Sequence, residues 1–448
     1  MPASHRWRVW LTVGVAVLVV GALAAWVLLP PQALSFAGGH AVSLAAYKGA
    51  TPVGAPPELR AADLIARGKY LTQAADCEVC HTREGGKPFA GGRGFKTPFG
   101  VLYSPNITPD PATGIGAWSD RDFLRAVHEG IARGGERLYP AFPYESYTLL
   151  TDDDVLAIKA YLFSLPPAHA QAPTNSLRFP FNQRWLMGFW AALYNPNQRF
   201  QPHEDRSPEW NRGAYLVEAL AHCGDCHTPR NLGQALDNRH KFGGTVIAGW
   251  RAYNITPDPV SGIGSWSDAE LGDYLASGHA AGHGSAGGPM GEEVAASSAT
   301  LTPGDLHAVV AYLRSIPALR ERDLPGVKMD PASEAPKPAL SAVEGRGREI
   351  FEGACASCHD WSGVSPLTSY ATLTGDRAVN DPSGINVVQV VLSGEHFTTA
   401  QGPVLMPAFA DAYSDTEVAA VANYVTARFG AAPSQVTARD VARLRESH

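Results

Sequence analysis

Six cysteines fall in three pairs, and a histidine follows each pair at once. They are Cys77-Glu78-Val79-Cys80-His81, Cys223-Gly224-Asp225-Cys226-His227 and Cys355-Ala356-Ser357-Cys358-His359. Two thiols at this spacing can each bond one vinyl group of a porphyrin, and the adjacent imidazole then reaches the iron from the same side. The pattern predicts three covalently bound haem c groups. Cys77, Cys80, Cys223, Cys226, Cys355 and Cys358 would be the attachment points, and His81, His227 and His359 the proximal ligands. Structural disulfides, common in exported chains, give no reason for a histidine after every pair. A zinc site would need pairs over a hundred residues apart to converge. Thioredoxin-like chemistry would not repeat three times.

An electron-transfer haem commonly takes a methionine as second axial ligand, which raises its potential. Only five methionines are present. Met290, in Gly288-Pro289-Met290, and Met406, in Leu405-Met406-Pro407, each stand shortly before the last helix of a unit and are the expected sixth ligands. The first unit breaks the pattern, because Phe142 stands where the repeat would place its methionine, and phenylalanine cannot bind iron. His128 on the preceding helix, a backbone or solvent ligand, or none remain for that iron, with a surface role the ordinary expectation for His128. Met187 reads as a packing residue of the connector. His222, His279 and His283 read as haem-edge or surface residues.

The elements that must position these groups are duplicated. Asn106-Ile107-Thr108-Pro109-Asp110-Pro111 recurs as Asn254-Ile255-Thr256-Pro257-Asp258-Pro259, 148 residues on, and Arg67-Gly68-Lys69-Tyr70-Leu71 matches Arg212-Gly213-Ala214-Tyr215-Leu216. Each unit reads as a helix leading into the cysteine motif, a long ordered loop, and a closing helix. Thr151, Thr302 and Ser414, each followed by acidic residues, mark the starts of the closing helices. Val418, Val421, Ala422 and Val425 then follow at helical spacing. The expected architecture is mainly α, with three cytochrome c-like haem domains in tandem, at 60–170, 206–317 and 341–430. An aromatic connector at 171–205 joins the first two, with packing between them its ordinary role. A proline-rich linker at 318–340, with Pro325, Pro331, Pro336 and Pro338, precedes the third. Residues 431–448 form a C-terminal tail.

Composition narrows the function. With 36 basic and 43 acidic residues the net charge is −7, and no long basic run is present, which argues against nucleic acid as a partner. Gly and Pro number 45 and 35, the mark of short helices on long loops. Residues 1–31 stand apart. His5, Arg6 and Arg8 precede an uncharged stretch from Val9 to Leu29 that is long enough for a transmembrane helix. A cleaved secretory signal ending near Ala22-Leu23-Ala24 is the other reading. Either one exports the haem domains.

Across Leu64 to Phe429 the chain resembles the membrane-bound tri-haem cytochrome c subunits of bacterial periplasmic dehydrogenases for alcohols, gluconate, sorbitol and aldehydes. The residues that carry the likeness are Cys77–Thr82, Cys223–Thr228, the two Asn-Ile-Thr-Pro-Asp runs, Leu138-Tyr139-Pro140-Ala141-Phe142-Pro143-Tyr144 and Trp210-Asn211-Arg212-Gly213. The resemblance implies haem domains on the periplasmic face of the bacterial inner membrane. Electrons would enter from a catalytic dehydrogenase subunit and leave to ubiquinone or a terminal oxidase. In most of that family the place of Phe142 holds the methionine ligand. Phe there resembles the branch that accompanies molybdopterin and iron–sulfur hydroxylases of aldehydes or N-heterocycles, where flavin or pyrroloquinoline quinone serves other branches. Two rival functions are a haem enzyme reducing a small molecule or peroxide at the first haem, and a stand-alone electron shuttle.

Overall fold

The computed structural model describes residues 3–29, 31, 34, 40–43, 56–59, 62–195, 197–332, 342–399 and 402–446. In chain order the principal helices are α1 (Ala3–Leu28), α2 (Leu64–Ala74), α3 (Asp120–Glu129), α4 (Asp152–Ser164), α5 (Leu186–Tyr194), α6 (Pro208–Tyr215), α7 (Asp268–Ser277), α8 (Gly288–Ala296), α9 (Pro303–Ser315), α10 (Ala342–Ile350), α11 (Ile385–Ser393), α12 (Asp415–Phe429) and α13 (Ala438–Arg445). The strands among the described residues are short and antiparallel, in pairs except where Ser176–Leu177 adds a third strand to the sheet of the first unit. Each haem-motif unit has one such pair beside its pocket: Gly94–Thr97 with Gly100–Tyr103, Thr245–Ile247 with Trp250–Ala252, and Glu395–Thr399 with Gly402–Met406.

Local sequence explains the helix starts. Thr151 and Thr302 accept the Asp154 and Asp305 amides at 3.1 and 3.2 Å, closing the first turns of α4 and α9. Ser414 works in reverse, donating its amide and hydroxyl to the Glu417 carboxylate at 2.9 and 2.8 Å. Helix α3 opens on a reciprocal Ser119–Asp122 box and ends at Gly130, whose φ of 63° suits glycine.

In every unit the helix that leads to the cysteine motif crosses the closing helix at a glycine. A Cβ on Gly68 would fall on the Ala157 carbonyl, one on Gly213 on the Ala308 carbonyl, and one on Gly347 on the Ala420 carbonyl. The crossing therefore brings backbone against backbone. Beside it stands an ion pair: Arg67 with Asp154, Arg212 with Asp305, and Arg346 with Glu417.

The first two units use this pair to hold each other. Tyr215 of the second donates to Asp154 of the first at 2.6 Å, and Tyr70 of the first donates to Asp305 of the second at 2.5 Å. The same hydroxyls accept the Thr151 and Thr302 amides at 3.1 and 3.2 Å. The exchange is reciprocal, as in a two-fold dimer interface, but lies within one chain. One continuous apolar core accordingly spans both units, from Leu71 and Val155 to Leu216 and Tyr312. The third unit has its own core around Phe351, Val388, Val418 and Phe429. At the place of the tyrosines it carries Glu349, and its Arg346–Glu417 pair is part-exposed.

Polar contacts attach the third unit to the second. Asn386 bonds the Arg251 main chain in both directions at 2.8 and 2.9 Å, and Gln389 donates to the Gly249 carbonyl at 2.8 Å. The linker is packed as far as it is described: Leu324 is buried, and Lys328 bonds Asn380 at 2.9 Å. Pro336 and Pro338 lie outside the described residues. The tail contains α13, which buries Val441 against the third unit.

Two expectations need correction. The transmembrane helix expected at Val9–Leu29 is not established: among the described residues no helix is long and apolar enough to cross a membrane. Trp10 to Trp26 of α1 form an exposed, largely apolar run. The connector also does not simply fill the space between units. Trp190 donates to the Gly233 carbonyl at 2.8 Å, but Phe179, Trp185 and Phe189 are 79, 63 and 66 % exposed.

Gly68→Ala should therefore destabilise the two-unit body by about 1–3 kcal/mol, the usual cost of overpacking. In calorimetry of the full chain, the transition of the third unit should keep its midpoint while the other falls. Equal shifts of both transitions would contradict the division into two cores.

Candidate functional site

One cavity of about 3050 Å³ is lined by residues of all three cysteine motifs. Sites for a single drug-sized ligand occupy about 300–1,000 Å³, so the space suits several large prosthetic groups. Its walls are mostly apolar, and none of the six thiols is paired. Burial pushes the Cys80 and Cys226 thiols up to about 12 and that of Cys355 to about 11, so these three are protonated at neutral pH.

Each motif histidine is oriented in the same way. Nδ1 of His81 donates to the Pro105 carbonyl at 2.8 Å, that of His227 to Tyr253 at 2.6 Å, and that of His359 to Ala371 at 2.7 Å. A carbonyl can only accept, so the proton is on Nδ1 and the Nε2 lone pair is free for a metal. Burial also holds the three imidazoles below their usual range, which favours the neutral, ligating form.

The duplicated loop motif explains the first two of these contacts. Asn106 accepts the Thr108 amide at 2.9 Å and donates to the Ala168 carbonyl at 2.6 Å; Asn254 does the same with Thr256 at 2.8 Å and Leu319 at 2.6 Å. Asp110 and Asp258 tie the next turn through the Thr113 and Ser261 amides, each at 2.6 Å. The loop so fixed begins just after the carbonyl that holds the histidine.

Met290 on α8 and Met406 at the end of its strand both line the cavity. So does Phe142, whose ring packs on Tyr147 with centroids 5.5 Å apart. His128 does not line it. It is 1 % exposed, and Arg199 donates to its Nδ1 at 2.6 Å. Arginine has no acceptor, so Nδ1 carries the lone pair and Nε2 the proton. His128 is therefore not a surface residue: it is buried, with Nδ1 taken by Arg199 and its ring outside the cavity lining. Met187 is half-buried on α5 away from the cavity lining.

His222 and His283 line the cavity, whereas His279 links units. Tyr147 of the first unit meets His222 of the second, centroids 5.4 Å apart, and His279 of the second stacks on Tyr370 of the third at 4.0 Å. His279 also bonds Ser369 through Nε2 at 2.9 Å. Sequence reasoning missed Tyr147, Tyr370 and Arg199, because single aromatic or basic residues outside a motif carry no spacing signal.

A fold of this kind, with motif histidines so held inside a shared apolar cavity, defines a cytochrome c that binds its haem covalently. The cytochrome c family model matches residues 65–166 and 211–317, and that of cytochrome C oxidase, cbb3-type, subunit III, matches 342–425. The chain is 42 % identical over 372 residues, 83 % of its length, to a nicotinate dehydrogenase subunit of Pseudomonas putida. It spans 31 % of that longer protein. It is 37 % identical over 401 residues to the fructose dehydrogenase cytochrome subunit of Gluconobacter japonicus, covering 85 % of this chain and 82 % of that one. With the gluconate 2-dehydrogenase cytochrome c subunit of Pantoea cypripedii it shares 37 % over 400 residues, 86 % of this chain and 90 % of that one. The chain belongs to the cytochrome c subunits of bacterial dehydrogenases.

Where the first and second units meet, Glu293 on α8 is desolvated and raised to about 7 from 4.5. A raised carboxyl contributes stability in full below its unfolded value, and loses it as pH climbs through the folded one. Glu293→Gln should flatten the fall in the thermal midpoint of the holoprotein between pH about 4.5 and about 7. An unchanged pH profile would show that Glu293 is hydrated.

Proposed function

We propose that this chain carries three haem c groups, on Cys77/Cys80, Cys223/Cys226 and Cys355/Cys358, and relays electrons from a catalytic dehydrogenase subunit. His81, His227 and His359 are the proximal ligands, and Met290 and Met406 complete the second and third irons. One observation carries the reading: three motif histidines, each with its Nδ1 proton on a main-chain carbonyl, open onto the one cavity that holds both methionines. Bound haem supplies a one-electron iron couple, and the protein supplies attachment, ligand orientation and a dry surround. Of the three haem domains read from the sequence, the third has a core of its own, and the first two share one continuous core.

The partner favoured here is a molybdopterin and iron–sulfur enzyme acting on an N-heterocycle or aldehyde. Phe142 and the 42 % identity to a nicotinate dehydrogenase subunit support it. Electrons would leave to ubiquinone or a terminal oxidase. We place the haem domains in the periplasm, against the inner membrane, with the exposed apolar surface of α1 toward it. Trp10, Leu18, Val20 and Trp26 present a broad exposed apolar surface that water disfavours. Arg239 clamps the end of α1, its guanidinium 4.5 Å from the Trp26 ring and bonded to the Leu29 carbonyl at 3.1 Å. Exposed Phe179, Trp185 and Phe189 suit the same interface.

The haem content of the purified chain should be three per polypeptide by the pyridine haemochrome assay, falling to two in Cys355→Ala/Cys358→Ala. Met290→Ala and Met406→Ala should each lower one midpoint potential and make one haem high-spin. Copurification should bring molybdenum and iron–sulfur; flavin or pyrroloquinoline quinone would reassign the partner. The protein should sediment with the membrane fraction of lysed cells, and its recovery in the soluble fraction would overturn membrane attachment.

A further inference from the structure

We propose that the iron held by His81 takes a small uncharged ligand from solution on the side where the other two irons hold methionine. This rests on the reading of Cys77, Cys80 and His81 as a haem site. Within one chain the duplicated units provide the comparison. Met290 of the second unit and Met406 of the third line the cavity, and the repeat sets Phe142 in the corresponding place of the first.

Two nitrogen donors of the first unit, His128 and Lys96, are each held by another partner. The Phe142 ring is held against Tyr147, whose hydroxyl is fixed on the Ala75 carbonyl at 2.8 Å. His128 is walled in by Arg199, with its Nε2 protonated and outside the cavity. Lys96 lines the cavity but donates to the Glu446 carbonyl at 2.8 Å. Among the described first-unit residues that line the cavity there is no methionine, and His81 is the one histidine. The chemical class of ligand follows from the wall. Trp118, Phe123, Val127, Phe142 and Leu162 are among the first-unit residues that line the cavity, whose walls are mostly apolar. An apolar wall of this kind penalises an anion and admits a neutral diatomic molecule.

The probe is carbon monoxide, added to the dithionite-reduced full chain with its three haems. Its difference spectrum should correspond to one haem in three, and electron paramagnetic resonance of the oxidised protein should show one high-spin centre. Phe142→Met should abolish both signals while the haem count stays at three. Should that variant load poorly, Cys77→Ala/Cys80→Ala must remove the carbon monoxide signal along with one haem. Three low-spin, carbon monoxide-inert haems would overturn the proposal, and a signal gained in His222→Ala would identify His222 as the ligand instead. A carbon monoxide signal that survives Phe142→Met or the double cysteine variant would also overturn it. The haem count separates these failures from failure of the three-haem reading, which would show as fewer than three per chain.

Discussion

The structure depends first on the close crossing of two helices at a glycine, repeated in each unit. At Gly68, Gly213 and Gly347 the entering helix meets the carbonyl of the closing helix with no side chain between. That approach fixes where the entering helix ends, and the cysteine motif follows directly. In the second and third units the run into the motif widens into a π turn, Leu216–Leu220 and Phe351–Cys355, a local distortion often found beside functional groups. The first unit makes the same transition through Asp76, with φ at 53°. The motif is therefore delivered by rigid packing, and only the histidine ring is left for the loop to orient.

That orientation is where the loops contribute most. The Asn-Ile-Thr-Pro-Asp segment carries no cysteine or histidine, yet its side chains bond its own backbone and the stretch of chain that follows the closing helix. A loop pinned at both ends holds the carbonyl against Nδ1 of the motif histidine. The repeat preserves this scaffold in the first two units, and the third reaches the same result with the Ala371 carbonyl from a different loop.

Much of this was legible in the sequence, because motif spacing, caps and duplicated words are local signals. The cysteine-histidine runs, the caps at Thr151 and Thr302 and the apolar stripe of α12 stand as the pattern implied. His128 is open in the sequence, and its tautomer is set by Arg199, 71 residues away, which no local pattern reveals. The role of Tyr70 and Tyr215 is equally hidden. Both read as ordinary apolar helix positions until the two units face each other. The connector reads as filling, since aromatic content alone does not tell an inward ring from an outward one. The N-terminal segment is legible as an apolar helix, although among the described residues no helix is long and apolar enough to cross a membrane.

The exchanged tyrosines have a consequence for how this chain can change over generations. Asp154 is served by Tyr215 and Asp305 by Tyr70, so each half of the duplication keeps the other half's charge satisfied. A substitution in one copy leaves a buried carboxylate short of a partner in the other, which ties the drift of the two copies together. The third unit carries Glu349 at that place and keeps its ion pair near solvent, outside the agreement. The shared words are confined to the two units that hold each other, and no such exchange ties the third unit's sequence to theirs.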